Sequence, residues 1–212
     1  VWSLFEARSA LSDRLGETST NFWSNADRTR YLNEAQRFVA AVTRGVPSEV
    51  TGSVNASSPS LTLPGKLVNA AAGMGYVDGG RALSVIDVET ANRISPNWRT
   101  LRGSPLWWIL DVSGDAAYVS PAPNVNTTVY LSVSILPADL VADSDELFNG
   151  VDAMEKYQGT VLNFAAALAL LKERYDSDAE RFYQFGMQEL SNLGVKPDDV
   201  PTFQDLREGA NG

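Results

Sequence analysis

The sequence predicts a mainly helical α+β protein: an antiparallel helix bundle with an inserted β-region and a C-terminal arm. Three observations carry this. Apolar residues recur at three- and four-residue steps near both ends of the chain. Between them, from about residue 50 to 136, Ser, Thr, Asn, Gly and Pro separate short apolar runs. Beyond Gly194 there are prolines at 197 and 201 and no continuous periodicity. One domain over residues 1–194 follows, with helices over about 3–16, 25–44, 152–175 and 178–193, and an arm over 195–212.

The first helix starts at Ser3-Leu4-Phe5-Glu6, a capping-box spacing, and Leu4, Ala7 or Arg8, Leu11 and Leu15 follow until Gly16 closes it. The second starts at Ser24-Asn25-Ala26-Asp27. It places Tyr31, Leu32, Ala35, Phe38, Val39 and Val42 on one face before Gly45 and Pro47. In the middle region, SLTL before Pro64 and ALSVIDV from Ala82 alternate as strands do, and DVETANRI can continue as a helical turn. WWILDVSGDAAYVSP predicts a hairpin turning at Ser113-Gly114-Asp115. Thr128 to Ile135 alternates most cleanly, with Val129, Leu131, Val133 and Ile135 turned to a core. Asp152-Ala153-Met154-Glu155 is a further capping box, and Met154, Tyr157, Val161, Phe164, Ala165, Leu168, Leu171 and Tyr175 follow on a long helix. Ser177-Asp178-Ala179-Glu180 opens the last helix, with Phe182, Phe185, Leu190 and Leu193 on its apolar face. The break between these two is short enough for an antiparallel pair.

Composition excludes more than any motif suggests. Hydrophobic residues make up 44% and charged residues 20%, ordinary values for a globular protein, and no apolar run is long enough for a membrane span. The N-terminus has no uninterrupted apolar stretch of the secretory kind, and since Val1 is not an initiator Met, a short leader is expected to precede it. The chain has no cysteine and no histidine. Thiol nucleophiles, zinc sites of the Cys or His kind, His-ligated haem and Ser-His-acid triads therefore have no residues to use, and the lack of disulfides favours assembly in a reducing cytoplasm. Residues 1–138 hold 11 acids and 11 bases, whereas 139–212 hold 15 acids and 6 bases, so the formal charge of −9 sits in the last third. Such a face repels nucleic acid.

Candidate sites are few. ILPADLVADSDELFNG (135–150) gathers Asp139, Asp143, Asp145 and Glu146, but neither calcium-loop register fits. Starting at Asp145 puts Leu147 and Lys156 at ligand positions, and starting at Asp143 puts Phe148 where the sharp-turn glycine belongs. A polar turn before a helix is the simpler account. Gly73-Met74-Gly75 with Gly79 and Gly80 has the wrong spacing for a dinucleotide fingerprint and is expected to form a turn-rich loop. Asn55-Ala56-Ser57 and Asn126-Thr127-Thr128 match the glycosylation acceptor, which matters only in a secretory pathway. Trp107 and Trp108 point to opposite faces of a strand, as cross-strand packing or as an interface anchor. Arg93, Arg99 and Arg102 lie in an acid-free stretch and suit either a phosphate contact or pairing with the acidic third of this chain or of a neighbour. No cofactor, metal or catalytic residue is expected. In the arm, Val200, Phe203 and Leu206 recur at three-residue steps, consistent with either a frayed end or a docking segment.

Taken in order, the helix with Leu32-Asn33-Glu34-Ala35-Gln36, the Trp-bearing hairpin, the strand running into Leu136-Pro137-Ala138-Asp139-Leu140, and the helix with Asp178-Ala179-Glu180-Arg181-Phe182-Tyr183 resemble the head-to-tail adaptor proteins of tailed bacteriophages, over roughly residues 25–193. The resemblance implies a structural virion protein, made in the host bacterial cytoplasm. It would assemble as a twelve-fold ring under the portal protein at the head-to-tail neck, join the portal to a tail or nozzle protein, and be monomeric when isolated. It implies no enzyme activity and no membrane, with DNA passing through the channel without specific binding. Portal or neighbouring-subunit contacts are then expected at Val200, Phe203, Leu206, Trp107, Arg93, Arg99 and Arg102. The packing of residues 50–97 is not fixed by the resemblance. Two alternatives from other classes are a carboxylate-dependent hydrolase using Asp139 with Asp143 or Glu146, and a carbohydrate- or surface-binding module using Trp98, Trp107 and Trp108.

Overall fold

A computed structural model describes residues 1–17, 22–63, 65–77, 81–110, 116–196 and 202–204. Mixed α+β structure is what it shows, divided into two compact units. One consists of residues 1–43 with 137–212, and the other, residues 44–136, is inserted between those halves in sequence.

In the first unit, α1 (Leu4–Arg14) and α2 (Asn25–Val42) begin where their capping boxes predict. Ser3 and Ser24 accept from the N–H groups of Glu6 and Asp27, whose carboxylates return the bond to the cap. The long helix departs from expectation. Asp152–Tyr157 is a 3-10 segment with no side-chain cap, and α4 proper is Gln158–Lys172. The reason is burial: residues three apart eclipse one another in a 3-10 turn, which puts Met154 and Tyr157 together against the core. α4 is buried nearly all round, including Val161, Leu162, Phe164 and Ala165 to Ala167. It packs on α1, α2 and α5 (Asp176–Asn192).

The last helix also turns a different face inward. Ala179, Tyr183, Gly186 and Leu190 are buried, while Phe185 is 47% exposed and Phe182 only partly covered. Gly186 sets this rotation. A Cβ there would lie 3.0–3.2 Å from the ring of Phe164, which is itself held edge-on between Phe38 (4.7 Å) and Tyr183 (5.6 Å). Only a residue without a side chain lets the helices approach so closely.

The second unit is built from β1 (Val46–Val54), β2 (Ser60–Thr62), β3 (Leu67–Val77), β4 (Arg81–Asp87), α3 (Val88–Ile94), β5 (Trp107–Leu110), β6 (Ala116–Ser120) and β7 (Thr127–Ile135). The strand order is β1-β7-β3-β4-β5-β6-β2. Two ladders share β4: its residues 81–83 pair antiparallel with β3, and residues 84–87 run parallel to β5. The parallel pair needs a crossover, which α3 and the loop after it supply. The predicted hairpin forms as the antiparallel pair β5–β6, its turn falling outside the described residues. On β7, Val129, Leu131, Val133 and Ile135 are buried as their alternation requires. Two strands were not anticipated. β1 pairs along its whole length with β7, and β3, which contains Gly73-Met74-Gly75, lies between β4 and β7 where a loop was expected. A backbone ladder on both sides needs no large side chains, so small residues suffice there.

Candidate functional site

Two of the segments that carry the resemblance, Leu32 to Gln36 and Pro137 to Leu140, meet in the first unit. Asn33 and Gln36 stand three residues apart on α2, hence on one face. The amide of Asn33 accepts from the Leu140 N–H (2.8 Å) and donates to the Leu140 carbonyl (3.1 Å), as a strand partner would. Gln36, fully buried, donates to the Ala138 carbonyl (2.9 Å) and to Asn33 Oδ1 (3.0 Å), and its Oε1 accepts from the Phe148 N–H (3.2 Å). Two side chains thus hold residues 138–148 against the helix. Sequence reasoning had named these residues without giving them this role. The available signal was two amides inside an otherwise apolar stripe of Leu32, Ala35 and Val39, since buried amides must find partners.

The held segment turns through Phe148 (φ 53°) and Asn149 (φ 58°), left-handed conformations uncommon for residues with side chains. Asn149 Oδ1 accepts from the Ala138 N–H (2.9 Å), closing the loop on itself. Its acids are all structurally engaged or open to solvent. Asp139 pairs with Arg37 and Asp143 with Arg8. Asp145 accepts from the N–H groups of Val141 and Ala142, both at 2.7 Å, and these bonds hold its carboxyl below the usual carboxylate range. The loop backbone is fastened to the start of α1 through Leu4 N–H to Asp145 O (2.6 Å), Phe5 N–H to Asp143 O (3.2 Å) and Leu147 N–H to Trp2 O (3.0 Å).

This arrangement is that of a brace. Asp139, Asp145 and Glu146 line an open depression of about 330 Å³, and the bonds that lower the pKa of Asp145 make it an ionised acceptor for the loop backbone. Among the described residues, no group of three or more acids is placed to hold a metal ion. A second brace closes the α1–α2 connection. Arg28 and Glu17 form an ion pair at 2.5 Å with side chains 6% and 11% exposed, and Glu17 also accepts from the N–H groups of Phe22 (2.8 Å) and Trp23 (3.2 Å). Burial opposes ionisation of Glu17, but these bonds outweigh it and lower its pKa.

In the second unit, Trp98 (3% exposed) and Trp108 (0%) are buried, so neither offers a platform for a sugar ring. Trp107 is partly buried and packs with Ile86, Val88 and Tyr118 around the cluster of Ala91, Trp98 and Ile109. Trp108 thus lies in the core, and Trp107 packs against this cluster while staying partly exposed. Arg93, Arg99 and Arg102 are exposed, and none forms an ion pair with a described residue. Arg99 lies over the Trp98 ring at 4.1 Å. The two acceptor motifs are joined, Asn55 donating to Asn126 Oδ1 at 2.8 Å. Of the arm residues, Phe203 packs its ring against Tyr183 at 5.6 Å with the planes inclined at 53°, while Val200 and Leu206 lie outside the described residues. Among the described residues, no helix is long and apolar enough to cross a membrane.

A family model for the SU10 adaptor protein matches residues 4–204, which takes in both helical segments and the whole insertion. A comparison with curated proteins finds no match.

Proposed function

We propose that this chain, which belongs to the SU10 adaptor protein family, is the head-to-tail adaptor of its phage, a ring of twelve copies beneath the portal that joins the portal to the tail. The family makes it a phage structural adaptor. The finer reading is supported chiefly by one observation: the Asn33 and Gln36 side chains lock the 138–148 loop onto α2, so two of the segments behind the resemblance form one braced body. A component that transmits load between head and tail needs such a body more than it needs a pocket.

In this reading the four long helices form the bundle that stacks in the ring, and the chain is not an enzyme. Ring closure needs two different surfaces per copy, and a portal presents them at the correct rotation, so the isolated chain is mostly monomeric. The unit of residues 44–136 holds six acids and six bases, which leaves the whole charge of −9 on the other unit. With that unit lining the channel, DNA slides past with few counterion-releasing contacts. The test is to mix the full chain with purified portal rings of the same phage and weigh the product by native mass spectrometry. Twelve copies per ring are expected, and portal rings that emerge bare refute the reading.

A further inference from the structure

Two surfaces of this chain combine exposed apolar side chains with charges that lack an ion-pair partner among the described residues. The first is α3 with the loop after it. This segment carries the exposed Arg93, Arg99 and Arg102 together with Ile94 (53% exposed) and Leu106 (40%). The surface is held rigid: Trp98 donates to Asn92 Oδ1 (2.9 Å), Ser120 Oγ donates to the Trp98 carbonyl (2.9 Å), and the Gly103 and Ala122 N–H groups reach the Ala122 and Leu101 carbonyls. Asp87 accepts from the Thr90 N–H (2.6 Å) and lies within reach of the Arg93 charge, so the positive charge of the patch centres on Arg99 and Arg102. The second is the outward stripe of α5, where Tyr175, Asp178, Phe182 and Phe185 follow at steps of three, four and three, with the Phe182 and Phe185 rings edge to face at 6.3 Å. Asp178 has no ion-pair partner among the described residues. The only base on α5 is Arg181, which lies over Phe182, against Asp176, Asp178, Glu180 and Glu189.

We infer that these two surfaces dock on one another between neighbouring copies, the basic patch of one receiving the α5 stripe of the next. The inference rests on the ring reading and supplies its lateral contact. Because the surfaces differ, each copy keeps one free after pairing. Association then continues head to tail instead of stopping at a symmetric dimer, as a ring requires. Ile94 and Leu106 face the two phenylalanines, and Arg99, flattened on Trp98, presents its guanidinium edge to the Asp178 carboxylate. Aromatic and Arg anchors are the residues that carry most interface energy. A nucleic-acid partner fits less well. Trp98 is sealed beneath Arg99 and cannot stack on a base, and two exposed aliphatic side chains, Ile94 and Leu106, share the segment with the arginines.

The test uses the full chain without portal and measures self-association by sedimentation equilibrium at up to millimolar concentration. Wild type is expected to associate weakly, with a dissociation constant on the order of 1 mM. R99E combined with R102E makes one surface acidic, and D178R makes the other basic. Either variant alone should associate about tenfold more weakly, because like charges then meet. A one-to-one mixture should recover wild-type strength, the acidic patch of one variant accepting the basic stripe of the other. F185S should weaken association with only a small loss of melting temperature, since Phe185 is half exposed. The inference is overturned if wild type shows no association at the highest concentration, if the reversals have no effect, or if the mixture fails to recover. It is equally overturned if R99E/R102E changes only the retention of a short DNA duplex. Failure to bind portal rings bears on the ring reading and leaves these outcomes separate.

Discussion

Replacing Gln36 by Leu removes the side chain that holds the 138–148 loop while keeping its bulk. Three hydrogen bonds are lost, but their partners differ in what they can recover. The Ala138 carbonyl is on an exposed residue and regains water, and Asn33 keeps both of its bonds to Leu140. Phe148 is fully buried, so its N–H stays unpaired. An orphaned buried donor costs about 1–3 kcal/mol, and the apolar replacement offsets part of it, which leaves a net loss of about 2 kcal/mol. Urea unfolding followed by helical circular dichroism should show the midpoint moving down with the slope unchanged, and the melt should fall by roughly 4–8 °C. Gln36→Glu should be worse at neutral pH. Its carboxylate would be buried facing two acceptors, so its folded pKa rises above the unfolded value. Stability is then retained below about pH 4 and lost as pH rises. If Q36L unfolds within about 0.5 kcal/mol of wild type, the brace is not what holds the loop.

Three further outcomes are expected. Gly186→Leu should destabilise the chain by about 3 kcal/mol, because the Phe164 ring is fixed from both sides and cannot yield, and differential scanning calorimetry would register it. Glu17→Gln should destabilise the chain at pH 7 by roughly 1–3 kcal/mol, because the charge of the Glu17–Arg28 pair and the charge-assisted bonds from the Phe22 and Trp23 N–H groups are lost. Since the folded pKa of Glu17 is lowered, its contribution is present above the unfolded value and lost as pH falls through the folded one. The gap between variant and wild type should therefore close in urea titrations below about pH 4. Deleting residues 196–212 should leave helicity and melting nearly unchanged, the loss of the Phe203–Tyr183 ring contact costing about 1 kcal/mol, yet prevent co-assembly with portal rings. Normal joining by the truncated chain would remove the docking role of the arm.

What could be read from the sequence was local. Ser3 and Ser24 announce their helices because a cap satisfies donors within three residues, and β7 announces itself because one of its faces is buried. β1 and β3 were hidden for a common reason: their place is fixed by ladders to distant strands. Pro47, Ser48 and Gly52 interrupt the apolar alternation of β1, and Gly52 is small because the Leu61 side chain packs directly on it. Asp152 and Glu155 had the spacing of a cap that burial of Met154 and Tyr157 overrode, and Phe182 with Phe185 had the spacing of a core face that Gly186 displaced. The brace escaped notice because its meaning depends on residues more than a hundred positions apart.

The most direct check on the central claim is a reconstruction of the intact virion neck by cryo-electron microscopy. The account predicts a twelve-fold layer directly beneath the portal into which α2 and its braced 138–148 loop fit as one body in every copy. A neck in which that layer is occupied by a different chain, or in which this chain is found only outside the head-to-tail junction, would contradict it.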